Sequence, residues 1–160
     1  MGLDPRKMRE LVVVLLFTAE STDGEISPGL IAMVSKQCKV SKRYVLEATQ
    51  QVQQVLERQA ECDEIITSFC RDYTIERLGC LERVVARYGI YELLENKLPS
   101  VKIVIAEAKR LVRKFSSIHA ATFIHALLAF ACERLGYSVE SEVDCEKAVE
   151  GYIEGGESSL

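Results

Sequence analysis

Thirteen consecutive residues, Ala120 to Cys132, carry no charge in a chain where 28% of residues are Asp, Glu, Lys or Arg. A helix that is apolar around its whole circumference needs other elements on every side. This segment therefore belongs at the centre of a bundle, and the rest of the chain must supply amphipathic helices to cover it. The apolar spacings elsewhere are threes and fours, and no run shows the strict alternation of a half-buried strand. The prolines, Pro5, Pro28 and Pro99, each precede an apolar-periodic segment, where a missing N–H in the first helical turn costs nothing. Asp4, Ser27 and Ser41 stand where N-caps belong. The reading is an all-α fold of about seven helices, near 5–20, 28–38, 41–58, 61–71, 75–96, 100–115 and 120–135. Short connections make neighbours antiparallel, in one compact bundle or two small bundles sharing an interface.

A chain of 160 residues fits one domain and buries a sizeable core without disulfides or metal. The apolar run Leu11 to Phe17 is far too short to span a bilayer and lacks a cleavage pattern. A cytoplasmic protein without a membrane segment is expected. The six cysteines, Cys38, Cys62, Cys70, Cys80, Cys132 and Cys145, form no C-x-x-C pair and have no histidine cluster beside them, which implies reduced, mostly buried thiols and no metal. There is no Gly-rich phosphate loop, no G-x-S-x-G and no H-x-x-x-H pair, so neither an enzyme nor a cofactor is expected. The net charge of −4 is unevenly spread: residues 138–160 carry −6, and residues 1–137 carry +2. A mildly basic helical body thus precedes an acidic tail containing Gly and Ser, expected to be partly disordered, with Cys145 to Ile153 able to form a short helix.

On a helical wheel, Met8, Leu11, Val12, Leu15 and Ala19 form a buried stripe, with Arg6, Arg9, Val13 and Phe17 on the other side. Two arginines and a ring on an outward face suit single-stranded nucleic acid, the guanidinium groups holding phosphates while the ring stacks a base. The same Val13 and Phe17 would equally suit packing against another helix or a homodimer mate. In the helix from Ile75, Leu78, Leu81, Val85 and Tyr88 are apolar and Glu76, Arg83 and Arg87 line the opposite face, with Glu82 to one side. Glu92 projects with the apolar residues, so a partly buried carboxylate is expected, with backbone N–H groups around Ser100 to Lys102 as donors. Val101, Val104, Ala108, Leu111, Val112 and Phe115 form the next apolar stripe, with Lys102, Lys109 and Arg113 opposite. His125 reads as a hydrogen-bonded core histidine.

Arg77-Leu78 through Glu82, Arg83, Arg87 and Tyr91-Glu92-Leu93, then Ile105-Ala106-Glu107-Ala108 and Leu111 to Phe115, then Phe123-Ile124-His125-Ala126-Leu127-Leu128 stand in an order that resembles the NusB-type transcription antitermination factors. Arg6-Lys7-Met8-Arg9-Glu10-Leu11 leading to Leu16-Phe17 is similar to that family's basic first helix. About half the chain carries the resemblance, and residues 21–72 match only as helices. It implies two three-helix bundles and binding of boxA-type single-stranded RNA together with NusE, a small-subunit ribosomal protein, in a complex that limits termination by RNA polymerase. It places Arg6, Lys7, Arg9, Phe17, Arg87, Phe115 and Phe123 on the RNA surface and Glu82 toward NusE. Ala106, His125, Ala126, His119 and Thr122 depart from the family pattern, which bears on RNA affinity and sequence choice. The alternatives are a protein-interaction module or homodimer, or the NusB-like domain of a ribosomal RNA methyltransferase of which this chain would be a fragment.

Overall fold

The computed structural model describes residues 2–71, 73–97, 100–138, 148 and 151–152. The described residues up to 138 contain seven α-helices and no strand: α1 (Pro5–Ser21), α2 (Pro28–Cys38), α3 (Lys42–Glu57), α4 (Gln59–Phe69), α5 (Cys80–Glu95), α6 (Val101–Phe115) and α7 (Ile118–Arg134). The chain divides into two compact units, Met1–Gln59 and Ala60–Leu160. In the first, α3 packs against both α1 and α2; in the second, α5, α6 and α7 pack pairwise on one another.

Local chemistry sets the helix starts. Asp4 accepts the Arg6 N–H at 3.0 Å, Ser27 that of Leu30 at 3.2 Å and Ser41 that of Arg43 at 3.3 Å. Ser100 and Ser117 do the same for Lys102 and Ala120. Each removes one of the orphan donors that a helix start leaves behind. Lys39 and Asn96 end α2 and α5 in the left-handed conformation, which lets a backbone N–H turn back onto the last carbonyls. The helix expected over 75–96 is interrupted. A 3₁₀ turn at Ile75–Arg77 is followed by Leu78 and Gly79 in extended backbone before α5 begins. Leu78 is buried, so the break lets an apolar side chain turn inward while Gly79 restarts the helix.

The uncharged segment is central in its unit, as its composition requires. α7 buries ten of its 17 residues, including Phe123, Ile124, Leu127 and Leu128, and Phe69 of α4 meets Phe123 and Phe130 at ring distances of 5.9 and 5.4 Å. α5 is buried nearly all round as well. Gly89 explains how two such helices fit: a Cβ there would lie 2.9 and 3.1 Å from the two methyls of Leu128, itself fully buried. In α1, Val13 is buried along with Leu11, Val12, Leu15, Leu16 and Ala19. The apolar face is therefore wider than the expected stripe, and only Phe17 of the pair Val13 and Phe17 is left exposed.

Cys62, Cys70 and Cys132 are buried cysteines and Cys38 and Cys80 partly exposed ones, none of the five in a disulfide. Burial pushes Cys70 and Cys132 up to about 11, which keeps them protonated and unreactive. Cys145 lies outside the described residues, as does most of the acidic tail, including its expected disorder. Ala148, Gly151 and Tyr152 are helical, within the short helix expected there. No helix among the described residues is long and apolar enough to cross a membrane.

The close approach at Gly89 has a measurable consequence. Gly89→Val forces a branched side chain against Leu128 and should lower unfolding stability by about 2 kcal/mol or more, read as a lower urea midpoint with unchanged slope.

Candidate nucleic-acid interface

The sequence-predicted residues fall in both units. In the first, Arg6 and Phe17 are exposed, Phe17 at 46%, and Lys7 and Arg9 are half-buried. On an ideal helix Arg6 and Phe17 project within about 20° of each other, about 16 Å apart along the axis. Lys7 lies 3.9 Å from Glu10, a loose pair that leaves its charge available. The placement of these cations runs against helix electrostatics. Arg6, Lys7 and Arg9 crowd the start of α1, and no acidic residue occupies its first turn. A helix N-terminus carries partial positive charge and favours anions by about 0.3–1 kcal/mol per surface charge. Cations held there forgo that stabilisation and add to the positive potential an approaching anion meets.

In the second unit the exposed groups gather at the α6–α7 corner. Phe115 is 44% exposed with the Lys114 Nζ 5.4 Å from its ring centroid, and Ile118 is 73% exposed. Arg113 and Lys114 occupy the last turn of α6, where the helix dipole favours them. Ser116, Ser117 and His119 complete an exposed corner. Sequence reasoning passes over Ile118, because a lone aliphatic residue between polar ones carries no periodic signal.

Arg87, Glu82 and Phe123 do not sit on an exposed face. Arg87 is buried, and its guanidinium meets the Asp63 carboxylate through two bonds, Nε to Oδ1 at 2.7 Å and Nη2 to Oδ2 at 3.0 Å. Of the charged stripe Glu76, Arg83 and Arg87, Glu76 is exposed and Arg83 half-buried, and only Arg87 is covered; a buried guanidinium needs a paired acceptor. Nothing in the sequence joins Asp63 to Arg87, 24 residues away. Glu82 is also buried and accepts a hydrogen bond from the Ser116 hydroxyl. Phe123 is 0% exposed. Tyr152 stacks on it at 4.5 Å between centroids and 20° between planes, while the Tyr152 hydroxyl accepts the Gly79 N–H at 3.0 Å. Burial, together with nearby Glu82, Tyr73 and Cys70, pushes the Tyr152 phenol up to about 12 against the opposing effect of the Gly79 bond. The ring is therefore neutral at any physiological pH.

His125 is half-buried rather than a core residue. Burial, then the charges of Lys109 and Arg113, holds its pKa below the ordinary value. Its place beside the basic stripe of α6 follows from packing that a helical wheel of α7 alone does not show. Glu92 is half-buried as expected and lines a small cleft with Asn96, Ser100, Val104 and Tyr137. The Lys102 N–H expected to serve it is taken by the Ser100 hydroxyl. Among the described residues no group of three or more His, Cys, Asp or Glu is placed to hold a metal.

Exposed cations and rings grouped on helix faces, in an all-α fold, define a small helical binding protein. The pattern of the NusB family matches residues 6–131. The transcription antitermination protein NusB of Chlamydia pneumoniae is 32% identical over 123 residues, covering 77% of this chain and 76% of that protein. That of Paenarthrobacter aurescens is 29% identical, covering 76% and 88%. Among solved structures, T. maritima NusB has a TM-score of 0.70 at 20% identity, covering 94% of this chain and 99% of that one. A structure of antitermination factors NusB and NusE in complex with dsRNA has a TM-score of 0.67 at 24% identity, covering 81% and 96%. The chain belongs to the NusB family of non-enzymatic transcription antitermination factors.

Two outcomes follow from this geometry. Asp63→Ala removes the two carboxylate bonds to a buried guanidinium and should cost about 2 kcal/mol, less than the roughly 3–5 kcal/mol of a fully buried broken pair, because the Asp63 side chain is 26% exposed. Differential scanning calorimetry of this variant beside the Asp63→Ala, Arg87→Met double variant would check it, the double variant recovering part of the loss. The depressed pKa of His125 means the unfolded chain takes up a proton there before the folded one does. The associated stability is present above the ordinary value of about 6.5 and is lost as pH falls through it toward the folded value. His125→Gln should accordingly lose less stability than the wild type between about pH 7.5 and about pH 5.5, as read from urea midpoints.

Proposed function

We propose that this chain binds boxA-like single-stranded RNA of ribosomal RNA operons together with NusE, and in that complex limits termination by RNA polymerase. The observation that carries the proposal is the start of α1, where Arg6, Lys7 and Arg9 stand against the helix dipole and Phe17 lies exposed on the side of Arg6. Such charges serve an anion better than they serve the helix. Phe115 with Lys114, in the second unit, supplies a further ring beside a cation, the combination that stacks a base and holds its phosphate. Family membership supports the reading, and the solved complex of NusB and NusE with dsRNA, whose fold this chain shares, supports its RNA and NusE components. Arg87 and Glu82 enter the proposal as supports of the second unit's face: one ties α5 to α4 through Asp63, the other ties α5 to the α6–α7 corner through Ser116.

The test is a titration of boxA-like RNA and a scrambled RNA of equal length, with and without NusE, at several salt concentrations. Preference for the boxA-like sequence, sharpened by NusE, is the expected result; equal affinities under every condition would overturn the sequence-specific reading. Arg6→Glu with Arg9→Glu should weaken RNA binding and flatten the salt dependence by about 0.7 in logarithmic slope for each phosphate no longer neutralised. Light scattering of Phe17→Ala decides the use of that ring: loss of a dimer with RNA affinity intact would reassign it to self-association.

A further inference from the structure

We propose that the junction of α2 and α3 is a second nucleic-acid contact, which seats the start of α3 in the major groove of duplex DNA with Lys36, Lys39, Lys42 and Arg43 on the flanking phosphates. It uses none of the residues at the start of α1. It adds a DNA partner to the RNA partner proposed above and does not depend on that reading.

Residues 26–46 contain four cations and no acid. All four are exposed, and none of them meets a carboxylate among the described residues, whereas Lys7, Arg87, Arg110 and Arg134 each do. Helix electrostatics accounts for only half of the cluster. Lys36 in the last turn of α2 and Lys39 at its C-cap face a negative helix end. Lys42 and Arg43 open α3, whose first turn holds no acid and where cations are disfavoured. The cluster is also fixed in place. The Val40 N–H donates to the Ser35 carbonyl at 3.1 Å and the Ser35 hydroxyl to the Val40 carbonyl at 2.6 Å, which ties the link of residues 39–41 back onto α2. Arg43 lies 4.8 Å from the centre of the Tyr44 ring and donates to its hydroxyl at 2.8 Å. That contact holds the guanidinium without neutralising it.

The face beyond the cations selects the partner. On an ideal helix Lys42, Leu46, Gln50 and Gln53 project within about 80° of one another, over about 16 Å. All four are exposed, Leu46 at 50%. In B-DNA the major groove admits a helix, glutamine amides pair with adenine edges there, and apolar groups meet thymine methyls. A single strand is held by stacking on rings, and Tyr44, the one aromatic residue between positions 22 and 59, is half-buried. The deep, narrow major groove of an RNA duplex shuts such side chains out. Two helices joined by a three-residue link, the second presenting its N-terminal residues, are the parts of a helix-turn-helix. α1, packed on α3, completes a three-helix unit.

Full-length wild type and a Lys42→Gln, Arg43→Gln variant are titrated with a short DNA duplex, an RNA duplex of the same sequence, single-stranded boxA-like RNA and phosphatidylserine-containing vesicles, each at several salt concentrations. Wild type should bind the DNA duplex in the micromolar range usual for sequence-independent contacts. The variant should bind it about tenfold or more weakly near 0.1 M salt, with a logarithmic salt slope lower by about 0.9 for each phosphate no longer neutralised. Its affinity for the boxA-like RNA should stay at the wild-type value. In labelled wild-type protein, NMR signals of backbone amides 39–46 and of the Gln50 and Gln53 side-chain amides should move as DNA saturates the chain. Undiminished DNA binding by the variant, signal changes confined to α1, or an RNA duplex or vesicles bound as tightly as the DNA would overturn the proposal. The NMR measurement needs no substitution, so it decides the question even if the variant unfolds. Wild type that fails to bind boxA-like RNA but binds DNA through Lys42 and Arg43 sinks the RNA reading alone, and the reverse outcome sinks the DNA surface alone.

Discussion

Burying two helices on nearly all sides is the constraint from which the second unit follows. α7 can be surrounded because its sequence between Ala120 and Cys132 contains no charge. α5 lies against it with a glycine at the point of closest approach, and is surrounded too, although it carries Glu82 and Arg87. Charged groups in such a place persist only with internal partners. Asp63 supplies one and Ser116 the other, so the packing of α7 dictates, at one remove, what the polar residues of α5 do.

The exposed chemistry is what this packing leaves over. In the first unit it is a cluster of cations at a helix start that helix electrostatics alone would fill with acids. In the second it is the corner where α6 ends and α7 begins, with Phe115, Ile118 and Lys114 outward. The first sets cations beside a capped helix start and the second leaves apolar groups uncovered, and such departures from what best suits a stable helix concentrate where a protein meets something else.

The helical character and most of the helix starts were legible in the residues because the forces behind them are local. Asp4, Ser27 and Ser41 reach N–H groups two or three residues on, and apolar spacing reports a face within a few turns. The interruption at Leu78 and Gly79 was not legible, since the periodicity of 75–96 reads through it. Its cause is the inward turn of Leu78, which depends on what fills the unit's core. Val13 likewise reads as outward on a wheel that assumes one narrow stripe. Among the site residues, Arg6 and Phe17 are legible from spacing and stand exposed, whereas Arg87 and Glu82 look solvated until Asp63 and Ser116 come into place.

By itself, then, the sequence determined an all-α protein with a charge-free central helix, a basic first turn on α1 and an acidic C-terminal segment, because composition, capping and periodicity act over a handful of neighbouring residues. Only the tertiary structure decided which charged and aromatic side chains face outward. Pairing of Arg87 with Asp63, 24 residues away, and of Gly79 with Tyr152, 73 residues away, depends on how helices come together in space, and no local pattern encodes which distant group will arrive.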